Sequence, residues 1–143
     1  MNVTEHLAKI KDVSFKRRYL LVDDLSDLFQ SGQILESTAV TIIEATIKLL
    51  EIESDIEVIE SIFNLFVLAV IENDFCQTAI VETTVKHLPT LEVGSLCHAF
   101  VIISESHLPN KQELLIPYLA SDNRIIREMA REELLFCQNI STT

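Results

Sequence analysis

A nine-residue segment recurs in this chain at an offset of 38 residues. Ile42-Ile43-Glu44-Ala45-Thr46-Ile47-Lys48-Leu49-Leu50 reads against Ile80-Val81-Glu82-Thr83-Thr84-Val85-Lys86-His87-Leu88, sharing the pattern I-[IV]-E-x-T-[IV]-K-x-L. Both segments place apolar residues at helical spacing, and 38 residues is about the length of one helix–turn–helix unit. One such unit leaves an apolar face uncovered, so units of this kind must stack to make a core. The repeat therefore restricts the fold to a row of helical hairpins or a helical bundle.

The rest of the chain fits that restriction. Two glycines, three prolines and no tryptophan leave little material for the turns of an all-β fold, and none for a phosphate-cradling glycine loop. Apolar periodicity gives eight helices, near residues 4–10, 14–30, 37–51, 55–72, 75–88, 92–106, 110–120 and 123–138. Ser31-Gly32 closes the second and Ser54-Asp55 offers N-caps for the fourth. Leu88-Pro89 ends the fifth, His107-Leu108-Pro109-Asn110 parts the sixth from the seventh, and Asp122 stands as cap of the eighth. The joins are short, which favours antiparallel neighbours. The expectation is an all-α fold in one domain over residues 1–143, with four stacked hairpins accounting for the whole chain. An irregular bundle is the rival.

The last hairpin carries a family likeness. Asp122, Ile126, Arg127, Ala130 and Leu134 form D-x-x-x-I-R-x-x-A-x-x-x-L, which resembles the second helix of a HEAT repeat. The resemblance implies a short α-α superhelix that works by holding another macromolecule. It fades in the earlier pairs: with Asp55 aligned on Asp122, Ile59 falls under Ile126, but Glu60 stands where Arg127 does. In HEAT families that arginine commonly joins a polar ladder between repeats, so a regular ladder is not expected here.

Charge is distributed unevenly. The net charge is −11, and between Tyr19 and Val85 there are 13 acids against one base, Lys48. The bases gather near the ends, at Lys9, Lys11, Lys16, Arg17 and Arg18 and at Lys111, Arg124, Arg127 and Arg131. An acidic middle repels phosphate, so nucleic acid is not the expected partner. It suits a basic protein, whose encounter such a field accelerates. Lys16-Arg17-Arg18 reads as a solvated helix start.

Helical phase turns this charge into a candidate surface. Asp23, Asp24 and Asp27 form a polar stripe on the second helix, and Glu57, Glu60, Ser61 and Asn64 form one on the fourth. In HEAT-like stacks the second helices of successive pairs line the concave side, which sets the stripes side by side, with Glu53 and Asp55 on the adjoining rim. The candidate partner-binding residues are therefore Asp23, Asp24, Asp27, Glu53, Asp55, Glu57, Glu60 and Asn64. Phe15, Phe29, Phe63, Phe66, Phe75, Phe100 and Phe136 fall mostly in apolar phases and are expected in the core.

Catalytic and metal constellations are missing. His6, His87, His98 and His107 have no HExxH or ligand-spaced neighbours, and Cys76, Cys97 and Cys137 form no CxxC. Gly94-Ser95 lacks the rest of a nucleophile elbow. No enzyme activity, cofactor or metal is expected. The odd cysteine count fits reduced, buried thiols in a cytoplasmic protein. The longest nearly apolar run, Ile62 to Ile71, contains Asn64 and is about half the roughly 20 residues a membrane span needs. The N-terminus has no secretory signal pattern.

In size, acidity and helical architecture the chain resembles small bacterial immunity proteins, which neutralise a delivered toxin, often a nuclease. That resemblance implies a basic toxin domain as partner, gripped through carboxylates that imitate nucleic-acid phosphate. The alternative is a scaffold or adaptor of HEAT-repeat type. An apolar end face would favour it, whereas the charged residues of the last helix favour a free-standing chain.

Overall fold

The computed structural model describes residues 1–73 and 76–141, with side chains through residue 138. Eight helices follow one another: α1 (Val3–Lys11), α2 (Arg18–Gln30), α3 (Glu36–Leu50), α4 (Ile56–Leu68), α5 (Gln77–His87), α6 (Val93–Glu105), α7 (Lys111–Leu115) and α8 (Arg124–Ser141). A π turn, Ala69–Asn73, prolongs α4, and 3-10 turns, Leu88–Thr90 and Ile116–Ala120, prolong α5 and α7. Among the described residues no strand forms and no helix is long and apolar enough to cross a membrane.

Local chemistry explains several boundaries. Asn2 caps α1 by accepting from the Glu5 amide at 3.0 Å, and Asp55 caps α4 by accepting from the Glu57 amide at 3.0 Å. Gly32 takes φ +70° behind α2, a left-handed turn that favours glycine. Asn123, not Asp122, caps α8: its Oδ1 accepts from the amides of Ile125 and Ile126 at 2.9 and 3.2 Å. The second helix also starts later than periodicity suggests. Asp12 accepts from both the amide and the hydroxyl of Ser14, and Arg17 adopts φ +57°, so residues 13–17 form a bent connection and α2 opens at Arg18.

The helices alternate between two layers. In one, α2 packs on α4, α4 on α6 and α6 on α8; in the other, α1 packs on α3 and α3 on α5. The repeat marks consecutive helices of the second layer. Ile42 and Ile80 are fully buried, and Thr46 and Thr84 each donate to the carbonyl one turn back, Ile42 O at 2.9 Å and Ile80 O at 2.7 Å. α7 leaves this row. It packs on α6 and α8, while a cleft lined by Val81, Val85, Leu108 and Leu114 lies between it and α5. The spacing shows why: α2, α4 and α6 begin at residues 18, 56 and 93, steps of 38 and 37, but α8 begins at 124, a step of 31. The shortened last unit has no length for a full outer helix. Three pairs stack in both layers and the fourth only through α8.

Two apolar clusters meet at α6. Val22, Leu25, Phe29, Ile42, Ile62, Phe63, Phe66 and Ile80 centre the larger, which Ile102 of α6 joins from above. Phe100 and Ile103 face the other way, onto Leu115, Ile126, Ala130 and Leu134. Phe100 meets Tyr118 edge-on at 4.9 Å. Each buried phenylalanine contributes about 1.5–3 kcal/mol of transfer free energy. Phe29, Phe63, Phe66 and Phe100 are core as expected, but Phe15 and Phe136 are 44% and 38% exposed; Phe75 lies outside the described residues. Arg127 donates to Ser121 O at 2.7 Å, so this arginine ties down its own loop.

Candidate functional site

The cleft of interest runs across α2, α4 and α6, three helices of one layer. On α2, Tyr19 and Asp23 are one turn apart; on α4, Glu57, Glu60, Ser61 and Asn64 follow at helical spacing. Direct packing of α4 against both neighbours aligns these faces, and His98 of α6 closes the far side. Together they line an open cleft of about 350 Å³. It has no lysine or arginine. Among the described residues no cation stands within ion-pair distance of Asp23, Glu57 or Glu60.

Glu60 is seated by a glycine. Its carboxylate lies over Gly94 in the first turn of α6, and a methyl group at Gly94 would stand 2.5 Å from it. Bare backbone at Gly94 thus lets the carboxylate rest against α6. His98 is half-buried, and burial pushes its imidazole below the ordinary histidine value, with Glu60 opposing. At neutral pH the cleft gains no positive charge from it.

The candidate residues divide into two groups. Asp23, Glu57, Glu60 and Asn64 come together in the cleft. Asp27 is exposed on α2 but is not among the residues that line it. Asp24 turns to α1, where its Oδ2 meets His6 Nε2 at 3.3 Å. Asp55 is the cap of α4. Glu53 has a different role: its oxygens take a two-pronged grip from Arg18, Nη1 to Oε1 at 2.7 Å and Nη2 to Oε2 at 2.9 Å. The side chains of Arg18 and Glu53 are only 6% and 4% exposed, so this is an enclosed ion pair. Arg18 Nη1 also donates to Ile10 O at 2.7 Å, while Glu53 Oε2 accepts from the amides of Ser54 and Asp55. The bonds from Arg18 hold the Glu53 carboxyl below its ordinary value. The pair fastens the start of α2 to the α3–α4 turn, and Arg18 is not a solvated helix start.

Tyr19 and His98 belong to the cleft although charge and phase did not nominate them. One signal pointed to His98: it stands 38 residues after Glu60, the offset of the repeat. Nothing in the local sequence marks Tyr19.

Burial pushes the thiols of Cys76, Cys97 and Cys137 up, so none is an activated thiolate. Among the described residues no group of three or more His, Cys, Asp or Glu side chains is placed to hold a metal ion. What the cleft offers is a set of hydrogen-bond acceptors carrying negative charge. A scan against protein-family models and searches of curated proteins and solved structures gave no match to this chain.

Proposed function

We propose that this chain is a non-enzymatic protein-binding module that docks a basic protein on the α2–α4–α6 face, acting as a cytoplasmic immunity protein that neutralises a toxin, with a nuclease as the leading class of target. The observation that carries this reading is the convergence of Asp23, Glu57 and Glu60, without cations, on one open cleft. Like charges held together cost stability, and lysine or arginine from a partner relieves that cost through charge-assisted hydrogen bonds. Covering the face would also place the partner's own basic surface, where a nuclease grips phosphate, out of reach of its substrate.

The test compares the immobilised chain with its Asp23→Lys/Glu57→Lys/Glu60→Lys variant. Both are exposed to a lysate of the source organism at low salt and eluted in salt steps. A basic protein retained by the parent alone, whose activity falls when the chain is added back, is the expected result. A partner held equally by both proteins, or one that resists salt, would refute the acidic face as the docking surface.

A second reading, as a scaffold or adaptor, has its own support. The last pair leaves Ile116, Leu119, Ile125, Leu135 and Phe136 exposed, and an apolar end suits continuation into another helical layer. Concentration-dependent association that Ile125→Glu abolishes would favour this reading.

A further inference from the structure

Hydroxyl side chains within helices commonly donate to the carbonyl one turn back. This chain does so repeatedly: Ser26 to Val22 O, Thr41 to Ser37 O, Thr46 to Ile42 O and Thr84 to Ile80 O. Ser61 does not. It is 9% exposed, it lines the α2–α4–α6 cleft, and among the described residues its hydroxyl has no hydrogen-bond partner. A ligand reaching into the cleft would find there a hydroxyl for which the helix does not compete.

The neighbours of that hydroxyl define the ligand. Asp23, Glu57 and Glu60 are acceptors only, and Asn64 adds an amide oxygen. Lysine presents three donors from one compact point. The guanidinium of arginine presents five in a planar fork, which matches acceptors spread over two helices and stacks on aromatic walls such as Tyr19. A bare metal ion is the poorer fit, since among the described residues no three carboxylate, histidine or cysteine side chains are placed to hold one. Because burial keeps His98 neutral, it does not compete with an entering cation.

We infer that the cleft is an anchor pocket for one arginine side chain of the docked protein, with Ser61, Glu57, Glu60 and Asp23 as the acceptors that receive its guanidinium. This rests on the docking reading above and specifies what that surface selects.

The probes are a fluorescent peptide of arginine, glycine and serine repeats and its equal-length lysine counterpart, titrated into the full chain at low salt. The arginine peptide should bind about tenfold more tightly, the scale of one hydrogen bond to a charged group. Two variants of unchanged net charge complete the test. Ser61→Ala removes the hydroxyl acceptor, and Gly94→Ala pushes the Glu60 carboxylate off its seat. Each should erase most of the arginine preference while lysine-peptide binding stays within about twofold, a free-energy change below 0.5 kcal/mol. Equal binding of the two peptides by the parent overturns the arginine pocket and leaves the docking reading standing. Binding of neither peptide overturns both. An arginine preference undiminished in both variants also overturns the pocket, because general acidity would then account for the choice.

Discussion

Replacing Glu53 separates structural carboxylates from docking ones. In Glu53→Ala the Arg18 guanidinium stays enclosed, at 6% exposure, with Ile10 O as its remaining acceptor. Removing one member of a buried pair costs about 3–5 kcal/mol, chiefly because a charge is left without its partner. For a chain of this size each kcal/mol moves the melting temperature by about 2–4 °C, so the variant should melt about 10 °C lower. Glu51→Ala serves as the control: Glu51 pairs with Lys86 at 2.7 Å, but those side chains are 43% and 63% exposed, and solvent screens them. Arg18→Met/Glu53→Leu removes both charges and should recover most of the loss. Acid sharpens the contrast. The Glu53 carboxyl is held below its ordinary value of 4.5 by Arg18, so its contribution is complete above that value and disappears as pH falls through the depressed folded one. The gap between parent and Glu53→Ala should therefore begin to narrow as pH falls below 4.5 and close only below the depressed folded value. Thermal melts followed by circular dichroism from pH 7 to 3 decide it. If Glu53→Ala melts within a degree or two of the parent, or the double variant fares no better than the single, the buried-pair account is wrong.

Two further substitutions test the fold. Arg17→Gly should raise stability by about 0.5 kcal/mol, since a left-handed residue with a Cβ costs about 1–2 kcal/mol and glycine returns about half to one of that as chain entropy; a lower melting temperature would show that the Arg17 side chain matters more than its backbone strain. Ala130→Glu places a carboxylate in the fully buried contact of α8 with the Phe100 cluster, at a cost of about 4 kcal/mol or more. Hydrogen exchange should show α8 opening before α2 and α4, and an undisturbed α8 would sink the assignment of that face.

How far the sequence revealed this molecule depended on the range of the interaction concerned. Helices α3 and α5 were legible because Ile42, Thr46, Ile80 and Thr84 obey a helical period that burial imposes directly. Asp23, Glu57, Glu60 and Asn64 were legible for the complementary reason: the face opposite an apolar stripe must meet solvent. Asp24 was misplaced with them because a neighbouring residue lies about 100° around the helix, enough to face α1 instead of α4. Glu53 could not be assigned locally at all. Its role depends on Arg18, 35 residues earlier, at the start of α2 beyond the Asp12–Ser14 turn. Periodicity began the second helix at Ser14, four residues before its actual start at Arg18. The departure of α7 from its row follows from a short step between α6 and α8, which becomes visible once helix starts are known to a residue or two.

The positions of the cations complete the argument for the cleft. Arg18 is committed to Glu53, Lys86 to Glu51, Arg124 to Glu128 and Lys9 to Glu5, while Arg127 and Lys111 bond to backbone carbonyls. Much of the chain's small positive complement thus serves the structure itself, and the excess negative charge is left on surfaces such as the α2–α4–α6 face. Self-repulsion there should weaken as salt shortens the Debye length from about 30 Å at 0.01 M to about 10 Å at 0.1 M. The melting temperature should therefore rise with sodium chloride over that range. Asp23→Asn/Glu57→Gln/Glu60→Gln should melt higher than the parent at low salt and respond less to its addition. Buried pairs such as Arg18–Glu53 are screened little and should not mask the trend. A parent whose melting temperature falls with salt would mean that surface charges attract on balance, and the cleft would then hold no electrostatic strain for a partner to relieve.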